Sequence, residues 1–179
     1  REREDYYMKN VILTGFMGCG KTTVGIRLSY RLRRAMEDTD KLIEKEERRT
    51  ISEIFRTDGE EYFRELETKC LKKLIRTSKN MIISVGGGLP LREENRALLK
   101  ELGTVIYLRA NAETIYERTK HDTSRPLLQG DDPQGKIRVL LAAREAVYES
   151  AADVVIDVNG KSFDMILDEI AAAVEKGDE

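Results

Sequence analysis

Short apolar runs alternate along the chain with longer stretches in which apolar residues recur every three or four positions. Runs of strand length fall at residues 10–14, 35–37, 81–85, 104–108 and 154–158. Between them the spacing is helical. From 60 to 78 the apolar positions Phe63, Leu66, Cys70 and Leu74 form one stripe on an otherwise charged helix, which makes Cys70 a small core residue. Strands alternating with helices predict βαβ units: an α/β fold of three layers, α/β/α, around a five-stranded parallel sheet. Thr50 and Glu53 have the spacing of a capping box, and Asp58-Gly59 is expected to punctuate the chain just before the long helix. One segment breaks the pattern. Residues 120–134 hold His121, Asp122, Thr123, Pro126, Gly130, Asp131, Asp132 and Pro133, and a polar loop of this length inside a compact domain reads as a mobile lid.

Composition narrows the classes. A chain of 179 residues argues for one domain, at roughly 100–200 residues per domain. Thirty-one Lys and Arg against 33 Asp and Glu leave a formal charge of −2, so there is no overall field for gripping nucleic acid or an anionic membrane, and neither is expected as a partner. His121 is the sole histidine, which excludes a His-rich zinc site and any Ser-His-Asp apparatus that does not use it. Cys19 and Cys70 form no metal or redox spacing, which fits a reducing cytoplasm. The longest uncharged stretch, 80–91, has twelve residues, too few to span a bilayer. Residues 1–7 carry five charges and no apolar run. They read as an N-terminal extension to a single domain over 8–179 rather than as a signal peptide. No heptad seam calls for a partner chain, so a monomer is the default expectation.

The strongest motif is Gly15-Phe-Met-Gly-Cys-Gly-Lys21-Thr22, a match to G-x-x-x-x-G-K-[ST] placed after the first strand and before a helical segment. Its glycines let successive backbone N–H groups converge on phosphate oxygens. Lys21 then adds charge at the β and γ phosphates, and Thr22 offers a hydroxyl to Mg²⁺. Gly18, Cys19, Gly20, Lys21, Thr22 and Thr23 are therefore candidate ATP contacts, with the Cys19 side chain a small filler.

A parallel sheet delivers the C-terminal end of every strand to one rim. Asp38 and Asp40 follow the second strand there, Gly86, Gly87 and Gly88 the third, the polar loop with Arg125 the fourth strand and its helix, and Asn159-Gly160 the fifth. At i and i+2 near an extended strand end, the two aspartates are expected to point the same way, toward a metal or a reacting hydroxyl; capping a helix is the plainer alternative. Three glycines after a buried strand permit close approach of backbone N–H groups to a ligand, where a simple turn would also serve. The third strand ends without an acidic residue, so help to a metal falls most simply to Asp38. Arg125, before a proline in the polar loop, is placed to stabilise a transferring phosphoryl group. His121 reads as a solvated residue.

Taken together these residues resemble the shikimate kinase family, within the nucleoside-monophosphate-kinase-like P-loop group. The likeness covers 8–176. It rests on Gly15-Phe-Met-Gly-Cys-Gly-Lys-Thr-Thr-Val-Gly25, Asp38-Thr-Asp40, Gly59-Glu-Glu-Tyr-Phe-Arg64 with Glu67, Gly86-Gly-Gly88, Arg125-Pro-Leu-Leu128, and Arg144 followed by Tyr148. The resemblance implies a P-loop NTPase type of fold and transfer of the ATP γ-phosphoryl group to the 3-hydroxyl of shikimate, on the route to chorismate and the aromatic amino acids. It also implies a shikimate-binding region at about 38–70. Lys21, Asp38 and Arg125 would then be catalytic, and Thr22 and Asp38 would hold Mg²⁺. Asp40, Arg64, Gly86, Gly87, Gly88 and Arg144 would bind shikimate, the two arginines holding its carboxylate. Arg118 resembles the position that stacks on adenine. Three positions depart from the family pattern: Met36 in place of an aromatic, Arg48-Arg49 where a glycine is usual, and Pro90 in place of a small apolar residue.

Rival readings are a GTPase, which lacks its Asn-Lys-x-Asp here, a gluconate or nucleotide kinase, and a non-catalytic ATP-binding module.

Overall fold

The computed structural model describes residues 9–122 and 129–176. Five strands, β1 (Asn10–Thr14), β2 (Met36–Asp38), β3 (Ile82–Ser84), β4 (Gly103–Arg109) and β5 (Val154–Asp157), form one sheet in the order β2-β3-β1-β4-β5. Every pairing is parallel. Each strand lies within one residue of its expected span. The central strands are apolar on both faces because helices cover both. Val11, Leu13, Ile82 and Ile106 pack with α1 (Lys21–Leu32) and α7 (Phe163–Lys176) through Val24, Leu28, Ile166 and Ile170. Alternate positions Ile12, Ile83 and Val105 turn to α3 (Ile51–Thr77) and α4 (Glu93–Leu102) through Leu71, Leu74, Leu99 and Leu102. Truncating such a residue costs about 2–5 kcal/mol, against about 0–1 kcal/mol for an exposed ion pair. The sheet core, and not the many surface salt bridges, holds the fold.

Helices α2 (Thr39–Glu47), α5 (Ala112–Thr119) and α6 (Pro133–Ala151) complete the layers. The capping box forms as expected: Glu53 N–H donates to Thr50 Oγ1 at 3.2 Å and Thr50 N–H to Glu53 Oε2 at 3.3 Å. Asp58-Gly59 punctuates the chain as expected: two helical pieces, grouped here as α3, meet at Gly59, whose non-helical φ of 85° and ψ of 175° admit essentially only glycine. The kink redirects the second part of α3, which carries Arg64 and Glu67. Arg48 explains the glycine usual in its neighbourhood, since it closes α2 in the left-handed conformation at φ 55°. Met36 fills space beside Gly25, where a Cβ would lie 2.5 Å from its Cε. Of the expected polar loop, residues 133–134 belong to α6, whose first turn is capped by Asp132 accepting from Gly135 N–H at 3.1 Å.

Candidate active site

The sheet rim opens into a cavity of about 630 Å³ lined by both halves of the expected site, among them Gly18, Lys21, Thr22, Asp38, Gly86, Arg118 and Arg144. The phosphate loop curls because Gly18 and Gly20 adopt φ of 75° and 101°. A Cβ at Gly20 would lie 2.6 Å from Arg118 Nη1. The Lys21 ammonium donates to the carbonyls of Gly15 at 2.5 Å and Phe16 at 3.2 Å, which sets its charge inside the loop's curl. Arg118 comes from α5, donates to the Cys19 carbonyl at 2.7 Å, and sits 5.3 Å over the Phe163 ring. The Cys19 side chain is fully buried, so only its backbone is available to a nucleotide.

The aspartates meet by a route other than strand alternation. Asp38 ends β2 and caps α2, its Oδ1 accepting from Lys41 N–H at 3.2 Å; Asp40 already stands in the first helical turn. Both line the cavity because the strand-to-helix junction falls between them. Capping α2 therefore does not take Asp38 away from the cavity. Burial, then the charge of Asp38, pushes the Asp40 carboxyl up to about 6.

Opposite the phosphate loop, each glycine of the triplet lies near a charged group, and Gly86 near two, Asp40 and Glu67. A Cβ on Gly86 would lie 2.7 Å from Asp40 Oδ1, one on Gly87 3.7 Å from Arg144 Nη1, and one on Gly88 would collide with the Arg64 guanidinium. The turn is tied down from both sides: Gly86 N–H donates to Thr39 Oγ1 at 3.2 Å, and the Tyr148 hydroxyl donates to the Gly87 carbonyl at 2.6 Å. The Gly87 and Gly88 N–H groups have no partner among the described residues.

Arg64 pairs with Glu67 at 2.5 Å and with Glu60 at 3.3 Å. Glu67 is wholly buried and its Oε2 has no hydrogen-bond partner among the described residues. Burial outweighs the pull of Arg64 and raises its carboxyl from 4.5 to about 7. An acid whose folded pKa is raised contributes stability that is complete below the unfolded pKa and lost as pH rises through the folded one. The window here is 4.5 to about 7. Glu67→Gln cannot ionise, so the Tm of the wild type is expected to fall relative to that of the variant as pH rises from about 5 to 8; parallel curves from thermal melts would contradict this.

Several residues at the site carried no role in the sequence reading. Phe163 follows no motif, Thr39 is hidden between two aspartates, and Glu67 and Tyr148 stood only as marks of resemblance. Asn159 does reach the rim, but as a brace, accepting from Asn111 N–H at 2.9 Å and Thr114 Oγ1 at 2.8 Å. Arg125 lies outside the described residues.

The geometry agrees with the relatives of this chain. The shikimate kinase family model matches residues 17–175. Shikimate kinase of Neisseria gonorrhoeae is 47% identical over 154 residues, covering 84% of this chain and 90% of its own. That of Caldanaerobacter subterraneus is 43% identical over 169 residues, covering 94% and 98%. The solved structure of shikimate kinase from Acinetobacter baumannii in complex with shikimate superposes with a TM-score of 0.87 at 34% identity, covering 99% of this chain and 98% of its own. With a P-loop facing a glycine turn flanked by two arginines, and this likeness over most of its length, the chain belongs to the shikimate kinase family.

Proposed function

We propose that the cleft transfers the γ-phosphoryl group of ATP to the 3-hydroxyl of shikimate, with the phosphates at 15–22 and the acceptor between Asp40, Arg64, Arg144 and the glycines at 86–88. One observation carries this assignment: three successive glycines each abut a different charged group, in one cavity with the phosphate loop. A cyclic hydroxy acid needs that combination. Two guanidiniums suit its planar carboxylate, backbone N–H groups its anionic edge, and a carboxylate its hydroxyls. Arg118 and Phe163 supply flat faces for a base at the other end.

Lys21 neutralises charge at the transferring group, and the loop's N–H groups do the same without reorganising. Among the described residues no three His, Cys, Asp or Glu side chains form a metal cluster. The donor set instead fits a cation held largely by nucleotide phosphates and water, as Mg²⁺ prefers. Thr22 and Asp38 would help hold it, and the ion would supply positive charge against the phosphates. Asp38 Oδ2 has no partner among the described residues, which leaves it for the metal or for the proton of the attacking hydroxyl. Arg125 enters this proposal from the resemblance alone, as the arginine that meets the transferring phosphoryl group. The enzyme acts on small molecules, as a single domain over 8–179, a cytoplasmic monomer. No helix among the described residues is long and apolar enough to cross a membrane.

Titrating shikimate into ¹⁵N-labelled protein tests the acceptor end. The expected shifts fall on the Gly87 and Gly88 amides and on the Arg64 and Arg144 side chains; shifts confined to other parts of the molecule would overturn the assignment.

A further inference from the structure

Asn95 occupies a core position of α4. Leu99 and Leu102, four and seven residues further on, are buried on the same face, and Asn95 itself is fully buried. A buried amide is costly unless both its groups are bonded. The Thr68 hydroxyl donates to Asn95 Oδ1 at 2.7 Å, and the Asn95 amide donates to the Leu89 carbonyl at 3.0 Å. Arg92 in turn donates to Thr68 Oγ1 at 3.2 Å. Leu89 offers only a carbonyl, so the Asn95 amide faces it and Oδ1 faces Thr68; the Thr68 hydroxyl, with one proton to give, also lies 3.1 Å from the Arg64 carbonyl one turn back on its own helix.

The two ends of this chain of bonds matter. Thr68, 4% exposed, lies one helical turn beyond Arg64 on α3. Leu89 directly follows Gly88, the glycine against which the Arg64 guanidinium packs. Neighbouring Arg96 holds the next two carbonyls of the turn, Pro90 at 3.0 Å and Leu91 at 3.1 Å. An apolar pair of the same shape would fill the space without desolvating a hydroxyl and an amide, so stability alone does not call for these residues. A directional bond adds a fixed distance between the helix and the turn.

We propose that Thr68 and Asn95 are a positioning pair, setting the spacing between Arg64 and the glycine turn and through it the affinity for shikimate. The inference rests on the acceptor end being the one assigned above. A misplacement near 1 Å is enough to change binding or rate by about 10–100-fold.

The test compares Thr68→Val, Asn95→Leu and the double variant with Leu99→Ala, which damages the core on the same helix without touching the turn. Each single polar variant is expected to raise the shikimate KM about tenfold, with the ATP KM and kcat little changed. The double variant should go no further than the singles, because they break one unit. Thr68→Ser keeps the hydroxyl and the wild-type KM. Leu99→Ala lowers Tm and leaves the shikimate KM alone. In the free protein, hydrogen exchange of the bonded turn amides, Gly86, Leu89 and Leu91, quickens in Thr68→Val and Asn95→Leu but not in Leu99→Ala. An unchanged shikimate KM, a rise that follows loss of Tm in all variants alike, or unchanged exchange overturns the proposal. If Asn95→Leu does not fold, Thr68→Val decides it. A wild type inert toward shikimate contradicts the functional reading instead, and the exchange comparison then judges the positioning pair by itself.

Discussion

Asp38→Asn is expected to lower kcat by about 10²–10⁴-fold, the range for loss of a positioned acid or base, while Tm stays close to that of the wild type. The two outcomes separate because Asp38 holds two roles. As the cap of α2 it accepts a single hydrogen bond from Lys41 N–H, and an asparagine oxygen accepts the same bond about equally well. In its proposed role beside the phosphate loop it would act by charge, which asparagine lacks. Asp38→Ala would lose both, adding about 1 kcal/mol of destabilisation to the kinetic defect. Steady-state ADP release beside a thermal melt makes the check. A Mg²⁺ titration then divides the chemical role: a steeper metal requirement in Asp38→Asn assigns the carboxylate to the ion, and an unchanged one assigns it to the hydroxyl proton. A near-normal kcat would reduce Asp38 to a helix cap.

Arg144→Ala is expected to weaken shikimate binding by about 2–5 kcal/mol, at least thirty-fold in Kd at about 1.4 kcal/mol per tenfold, with ATP binding little changed. The loss is large because a carboxylate sunk against Gly87 would keep one guanidinium and lose the other. Arg144 is a cleaner probe than Arg64. Removing Arg64 strands the wholly buried Glu67 without its partner, so binding and stability would fall together. Arg144 has the Tyr148 hydroxyl as neighbour and stands 5.7 Å over the Phe16 ring, and it pairs with no buried carboxylate among the described residues. Arg144→Lys should fall between, since an ammonium keeps the charge but not the paired donors. Calorimetric titration with shikimate and, separately, with an ATP analogue gives the comparison. Unaltered shikimate affinity would remove Arg144 from the site.

The sheet was legible because burial on both faces leaves a strand no alternation to blur: Val11, Ile12 and Leu13 are all apolar because helices cover both sides. The phosphate loop was legible for a different reason, since backbone curvature and charge fix composition and spacing together. Pattern reading failed where local and distant demands coincide on one residue. Asp38 looked like a choice between cap and chemistry, and the strand-to-helix junction puts the capping residue on the cavity as well. Gly59, by contrast, was legible as a break, and two helical pieces do meet there. Asn95 gave no signal at all. One polar residue in an apolar stripe is silent until Thr68 and Leu89, 27 and 6 residues away in the chain, are brought to it. The pair proposed to bind the carboxylate is equally non-local, because Arg64 and Arg144 come from different helices and flank the glycine turn.

The account stands or falls on the choice of acceptor, and one assay addresses it: initial rates of ADP release by the purified protein with Mg-ATP and shikimate, gluconate or a nucleoside monophosphate in turn. Rapid, saturable release with shikimate alone, and phosphate found on its 3-hydroxyl, is the predicted result. Release with gluconate or a nucleotide and none with shikimate would contradict it.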